Sequence, residues 1–194
     1  NDPFDGGMHL QDIFIVKPVF AGAAAPPPCE GEASHTALAP PRELIGFAVT
    51  TAHHGDVGGR LPGSSACDNT EIFQEGLRMP WIRFYAEGEP VEEVHRLIET
   101  NMRIPRMTFG DLGAQVAACS VAERALQALA VRHGREQLAG LTDALIDYTE
   151  RLVRQEIATW PDGTASFTDY LGSDGVEACA VPIIATITIA GDEV

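Results

Sequence analysis

From Pro90 to Trp160 the apolar residues recur at helical spacing, and on both sides of that block they gather instead in short β-branched runs. That order constrains the fold more than any other feature. Strands, then helices, then strands cannot build the regular βα alternation of a doubly wound sheet, so the expected class is α+β. The arrangement it implies is a mixed sheet, drawn from the N- and C-terminal strands, beside a central block of two to three long helices. The chain then reads as a single domain over 1–194, with a strand and loop region at 1–89, helices at 90–160 and closing strands at 161–194.

The individual elements follow from local pattern. DIFIVKPVF and ELIGFAVTTA read as neighbouring strands, separated by an Ala/Pro-rich stretch from Ala21 to Arg42 whose composition suits a surface loop. TEIFQEGLRMPWIRFY alternates weakly and predicts another strand. PVEEVHRLIETNMR sets Val91, Val94, Leu97 and Ile98 on one helical stripe, with acids in the first turn where the dipole favours them. A second helix is expected from Asp111, which would cap or charge its start, with Leu112, Val116, Cys119, Leu126 and Leu129 inside. A third runs from Glu136 to Trp160, with a stripe of Leu138, Leu141, Leu145, Tyr148, Leu152 and Ile157. TASFTDYL and VPIIATITIAG close the chain as strands, the second apolar enough for a central place in a sheet.

Composition removes several functions. With 13 Lys and Arg against 28 Asp and Glu the formal net charge is −15. Neither a nucleic-acid backbone nor an anionic membrane surface attracts such a chain. No run approaches the ~20 apolar residues that span a bilayer. Cys29, Cys67, Cys119 and Cys179 are scattered without a CxxC pair, which predicts reduced thiols and a cytoplasmic setting.

Chemistry concentrates in two segments. GGMHLQD places His9 and Asp12 three residues apart where a turn becomes a strand, and AHHGDVGG places His53, His54 and Asp56 at the end of the next strand. If the strands pair, both clusters can meet at one edge of the sheet. Imidazoles with a carboxylate suit zinc, manganese or iron better than calcium, which prefers oxygen alone. The plain alternative is solvated loop histidines and turn-forming aspartates, Asp2 and Asp5 among them. Glu75, in QEGLRMP, is a candidate general base, against its reading as a turn residue before Gly76. Arg103 and Arg106 offer a grip on a carboxylate, against a solvated helix end.

NDPFDGGMHLQDIFIVKPVF, AHHGDVGGRLPGSS, TEIFQEGLRMP, NMRIPRMTFGDLGAQVAA and PDGTASFTDYL occur in that order over nearly the whole chain, and together they resemble the hydantoinase B/5-oxoprolinase family. The resemblance implies the B-subunit portion of an ATP-dependent amidohydrolase that opens a small cyclic amide such as a hydantoin or oxoproline. It implies a hydantoinase A-like ATPase partner of actin-like fold, binding ATP and activating the carbonyl, and hence a hetero-oligomer. It implies a divalent metal on His9, Asp12 and either His53 or His54. The donor set leads to the expectation of zinc or manganese, and the residues themselves to Asp56, shaping the site, and Glu75 as catalytic-site residues. Related members carboxylate ketones, and a non-catalytic docking scaffold for the ATPase is the reading from outside enzymology. Members of the family are longer, and the segment before their NDP motif supplies a further carboxylate ligand. The chain therefore reads as an internal fragment.

Overall fold

The computed structural model describes residues 1–22 and 43–194, so most of the expected loop over 21–42, with Cys29, lies outside the described residues. The chain divides into two compact units, Asn1–His133 and Gly134–Val194. The division falls inside the expected helical block.

The first unit is built on an antiparallel ribbon of β1 (Asp12–Phe20) and β2 (Leu44–His53), in which Asp12 pairs with His53 and Val19 with Gly46. Pro18 sits within β1 because a two-stranded ribbon leaves each strand an outer edge that needs no donor. After α1 (Glu92–Asn101), the long helix α2 (Pro105–His133) packs along the ribbon. Thr108, Leu112, Gln115 and Cys119 are its buried stripe at helical spacing. Three polar contacts pin that stripe to strand backbone: Gln115 Nε2 donates to Ile13 O at 2.8 Å, and the Cys119 thiol lies 3.7 Å from both Ile15 O and Ala48 O. Further along, Lys17 pairs with Glu123 and Gln127 Nε2 donates to Phe20 O. The main core gathers Leu10, Ile13, Val57, Met79, Ile98, Met102 and Leu112.

The expected helices all form, with differences of detail. The second starts at Pro105, not at Asp111. Proline is well placed in a first helical turn because its missing N–H has no partner to lose there, and Gly110 and Gly113 disguise the turn that follows. Asp111 therefore lies within the helix, exposed, and caps nothing. Leu129, placed inside by its spacing, is 43% exposed.

The weakly alternating TEIFQEGLRMPWIRFY is not a strand. It forms one short 3-10 turn, Ile72–Gln74, and only the two-residue pair β3 (Tyr85–Ala86) and β4 (Glu89–Pro90) follows. Its backbone is committed to a neighbouring loop: Arg60 N–H donates to Gln74 O and Leu77 N–H to Val57 O. The approach is so close that a Cβ on Gly76, at φ +146°, would stand 2.5 Å from Val57 O.

The second unit holds α3 (Arg135–Ile157) and a ribbon of β5 (Gly163–Leu171) and β6 (Val181–Ile189), the two closing strands expected from sequence. The α+β class holds. Its strands, however, make three separate antiparallel pairs among the described residues, where one mixed sheet was expected. Each long pair satisfies its inner backbone groups by itself, and β6 pairs with β5 alone rather than lying centrally. Of the stripe expected on α3, Ile157 is buried, whereas Leu141, Leu145, Tyr148 and Leu152 are exposed.

Candidate metal centre

The antiparallel register brings the two polar segments together. Asp12 opens β1 and His53 closes β2, directly opposite each other. His9 reaches the same point through a turn in which Asp12 N–H donates to His9 O at 3.0 Å. In return the His9 N–H donates to Asp12 Oδ2 at 3.1 Å, and His9 Nδ1 lies 2.9 Å from the same oxygen. The His9 and His53 rings meet edge to face at 5.8 Å between centroids. One donor atom from each of His9, Asp12 and His53 lies within 4.8 Å of the other two. Both imidazoles are exposed and the carboxylate half-buried, so the cluster opens to solvent. Two imidazole nitrogens and one carboxylate oxygen at this spacing fit a divalent transition metal with coordination positions left for further ligands.

His54 is not in that cluster. Consecutive residues at the end of a strand point to opposite sides, so the pair cannot serve one site. Its ring is 1% exposed, with Nε2 3.0 Å from Gln115 Oε1, and its backbone N–H donates to Gln11 O at 2.9 Å. Because Gln115 Nε2 is spent on Ile13 O, its Oε1 must accept, which puts the proton of a neutral His54 on Nε2. Nδ1 is then a buried lone pair that meets no donor among the described residues.

Asp56 is also withdrawn from the open cluster. Its side chain is 4% exposed, and Oδ2 meets Arg103 Nη1 at 2.9 Å. Gly58 N–H and Gly63 N–H each donate to the carboxylate at 3.0 Å. Burial pushes this carboxyl up, but the hydrogen bonds from Gly58, Gly63 and Arg103 together hold it below the ordinary carboxylate range. Arg103 is no solvated helix end. Its guanidinium also donates to the carbonyls of Gly58, Leu61 and Gly59, so Asp56 and Arg103 tie the glycine-rich loop shut. Glu75 caps the short 3-10 turn and is half-buried; it is not one of the three clustered donors.

Several supports had little signal in the sequence. Asn1 Nδ2 donates to Leu10 O at 2.6 Å and Leu77 O at 3.0 Å, while Met79 N–H donates to Asn1 Oδ1, so one amide joins the His9 turn to a distant loop. Asp2, expected as a turn residue, does cap Phe4 N–H, and it also binds Arg78 Nε at 2.9 Å from a buried position. Gln115 was open to detection, being polar on an otherwise buried helical stripe.

A family model described as hydantoinase B/oxoprolinase matches residues 1–194. The chain is 35% identical over its full length to the beta subunit of the caprolactamase of Pseudomonas jessenii, and 30% identical to the B subunit of a putative D-/L-hydantoinase of Pseudomonas sp. strain NS671. It is 25% identical, over 89% of its length, to the acetophenone carboxylase delta subunit of Aromatoleum aromaticum, 23% of which it covers. The crystal structure of the ATP-dependent caprolactamase from Pseudomonas jessenii superposes with a TM-score of 0.77 at 34% identity, over 100% of this chain and 30% of that one. The chain spans 30% of the length of the caprolactamase and hydantoinase subunits it matches.

Proposed function

Because the chain belongs to the hydantoinase B/oxoprolinase family, we propose that it carries the metal-holding portion of an ATP-dependent enzyme that opens a small cyclic amide. The observation that carries this reading is the convergence of His9, Asp12 and His53 from two separate segments onto one open site. Those three residues would hold a divalent ion, zinc or manganese. When bound, such an ion supplies Lewis-acid charge to a substrate carbonyl oxygen.

The chain's own residues fix the geometry around that point. Asp12 holds the His9 turn through both the backbone N–H and the ring of His9, so the two donors move as one unit. The β1–β2 register sets His53 opposite them. Asp56 and Arg103 keep the following loop closed, which shapes the approach without offering a free carboxylate. Glu75 contributes from the adjoining turn, whose backbone packs against Gly59. We assign activation of the amide oxygen to an ATPase partner of the hydantoinase A type, within a cytoplasmic hetero-oligomer. It would transfer the γ-phosphoryl group of ATP to that oxygen and release ADP. Water would then add to the carbon, and the C–N bond would break as the ring nitrogen takes up a proton. Hydrolysis of the resulting acyl phosphate would release phosphate and leave the ring-opened carboxylate. The names of the caprolactamase and hydantoinase relatives, each one component of a larger enzyme, support such an assembly.

A second reading, ATP-dependent carboxylation of a ketone, is favoured by the similarity to the acetophenone carboxylase delta subunit. The test is an assay of the intact protein with its ATPase partner on a panel of cyclic amides and ketones, with and without bicarbonate. Ring opening that depends on ATP is expected, falling at least ~100-fold in His9→Ala and Asp12→Ala together with bound metal. Carboxylated products would replace the hydrolase reading with the second one. Full turnover in both variants would remove the site.

A further inference from the structure

We infer that Gln115 and His54 are positioning residues for the His9–Asp12–His53 cluster: a single strap from α2 that holds both ligand-bearing strand ends. The inference rests on the metal reading above and adds residues that take no part in binding the ion.

The strap is continuous. Gln115 Nε2 donates to Ile13 O at 2.8 Å, and Ile13 is bonded to Asp12. Gln115 Oε1 accepts from His54 Nε2 at 3.0 Å, and His54 is bonded to His53. One amide therefore grips the backbone next to the carboxylate ligand and, through an imidazole, the residue next to the second imidazole ligand. All of it is buried: Gln115 is 6% and His54 1% exposed. Gln11 completes the frame. Its carbonyl accepts the His54 N–H at 2.9 Å, tying the two strand ends to each other on the far side of Asp12. On the open side His9 is held by Asp12, and both His9 and His53 are exposed, so the strap braces the cluster from its buried side.

The buried polarity points the same way. His54 Nδ1 has no donor among the described residues, and a buried unpaired acceptor is costly. A phenylalanine would fill the same space without that cost, but it would give Gln115 Oε1 nothing to accept. The imidazole at this position is explained by its Nε2–H bond rather than by packing. Alternation explains the rest: with His53 turned to the open face, His54 must turn inward, so the strand end carries a ligand and its brace as neighbours.

A built-in control lies on the same helix. Gln127 Nε2 donates to Phe20 O at 3.0 Å, the same kind of glutamine-to-strand bond, at the opposite end of β1. The experiment loads the intact protein with Co²⁺ and measures affinity by chelator competition and the ligand-field absorption bands. Gln115→Leu and His54→Phe are each expected to weaken Co²⁺ binding ~10-fold or more and to shift the bands. Gln127→Leu, at a half-buried position, is expected to leave both readouts at their wild-type values. His54→Gln, which restores an N–H donor, should recover part of the affinity. Wild-type affinity and bands in a folded Gln115→Leu protein would overturn the inference while leaving the metal site standing, as would equal losses in Gln115→Leu and Gln127→Leu. Should His54→Phe fail to fold, Gln115→Leu and His54→Gln decide. Cobalt binding that survives His9→Ala unchanged would overturn the metal reading and this inference with it.

Discussion

Two long antiparallel ribbons share this chain, and their surroundings differ in every respect that matters. β1–β2, of nine and ten residues, lies under α2, and Ile13, Val19 and Ala48 along it are buried. β5–β6, of nine residues each, has no buried position: Phe167 is 72% exposed, and Ile183 and Ile187 are each 52% exposed. Yet the second ribbon is just as well patterned. Its register puts Ala165, Phe167, Leu171, Ala185, Ile183 and Ile187 on one face, with Asp169 among them. On the other, Thr164 and Ser166 bond across to Thr188 and Thr186 at 2.9 Å. The difference is therefore not in strand-forming character. What the first ribbon has is a helix whose polar side chains end on strand carbonyls, and that is also where the candidate chemistry sits. An isolated two-stranded ribbon is marginal in water, whereas a covered one can hold ligands at fixed spacing.

The sharpest way to test this contrast is to truncate one apolar side chain in each unit. Leu112, 1% exposed at the centre of the first core, is expected to cost ~3 kcal/mol or more as Leu112→Ala. Leu145 on α3, 64% exposed, is expected to cost no more than ~0.5 kcal/mol as Leu145→Ala. Chemical denaturation of the intact protein measures both. A core-sized loss at Leu145 would break the comparison, because it would mean that α3 is covered in the intact protein.

Legibility in the sequence follows the same contrast. β1, β2, β5 and β6 were readable because β-branched runs bounded by glycine and proline are short-range signals, and α1 and α3 because their stripes are regular. The residues around Glu75 misled, since a weakly alternating run says nothing of whether its backbone will bond to a ladder or, as here, to Val57 and Arg60. The start of α2 was hidden by two glycines. His9, Asp12 and the histidine pair were visible as chemistry, but only the Asp12–His53 register distinguishes His53 from His54. The bond between Arg103 and Asp56 crosses 47 positions and leaves no periodic trace.

A smaller effect is expected from Asp56→Asn, which keeps the outline of the side chain but removes its charge and one of its two acceptor oxygens. Arg103 keeps its contacts to the carbonyls of Gly58, Gly59 and Leu61, and it is 38% exposed, so solvent screens part of the loss. A cost of ~2 kcal/mol near neutral pH is expected from the weakened hydrogen bonds. The sign with pH is fixed by the direction of the shift. The native carboxyl lies below its ordinary value of 3.8, so the unfolded chain takes up the proton more readily. The stabilisation is complete above that value and fades as pH falls through the native one. Wild type and Asp56→Asn should therefore differ most in stability above pH ~4 and converge in stronger acid, a result that urea titrations at several pH values would give. A constant gap across the range would show that the charge of Asp56 contributes nothing to the clamp.

The smallest change is expected on the bare ribbon. Phe167→Ser replaces a ring that is 72% exposed with a side chain suited to either face of a ribbon, and Phe167 stands opposite Ala185, which offers it little to pack on. Its cost in the intact protein is expected to stay within ~0.5 kcal/mol. The same substitution removes an exposed ring from the face that Ile183, Ile187 and Leu171 share, so solubility should rise rather than fall. Amide exchange adds a separate reading: β5 and β6 should exchange faster than Ile13 to Val19, whose partner strand and covering helix must both open first. Slow exchange at Ala165 and Phe167, with a loss above ~2 kcal/mol for Phe167→Ser, would mean that this ribbon, like β1–β2, is covered in the intact protein, and the contrast between the two would then belong to the isolated chain alone.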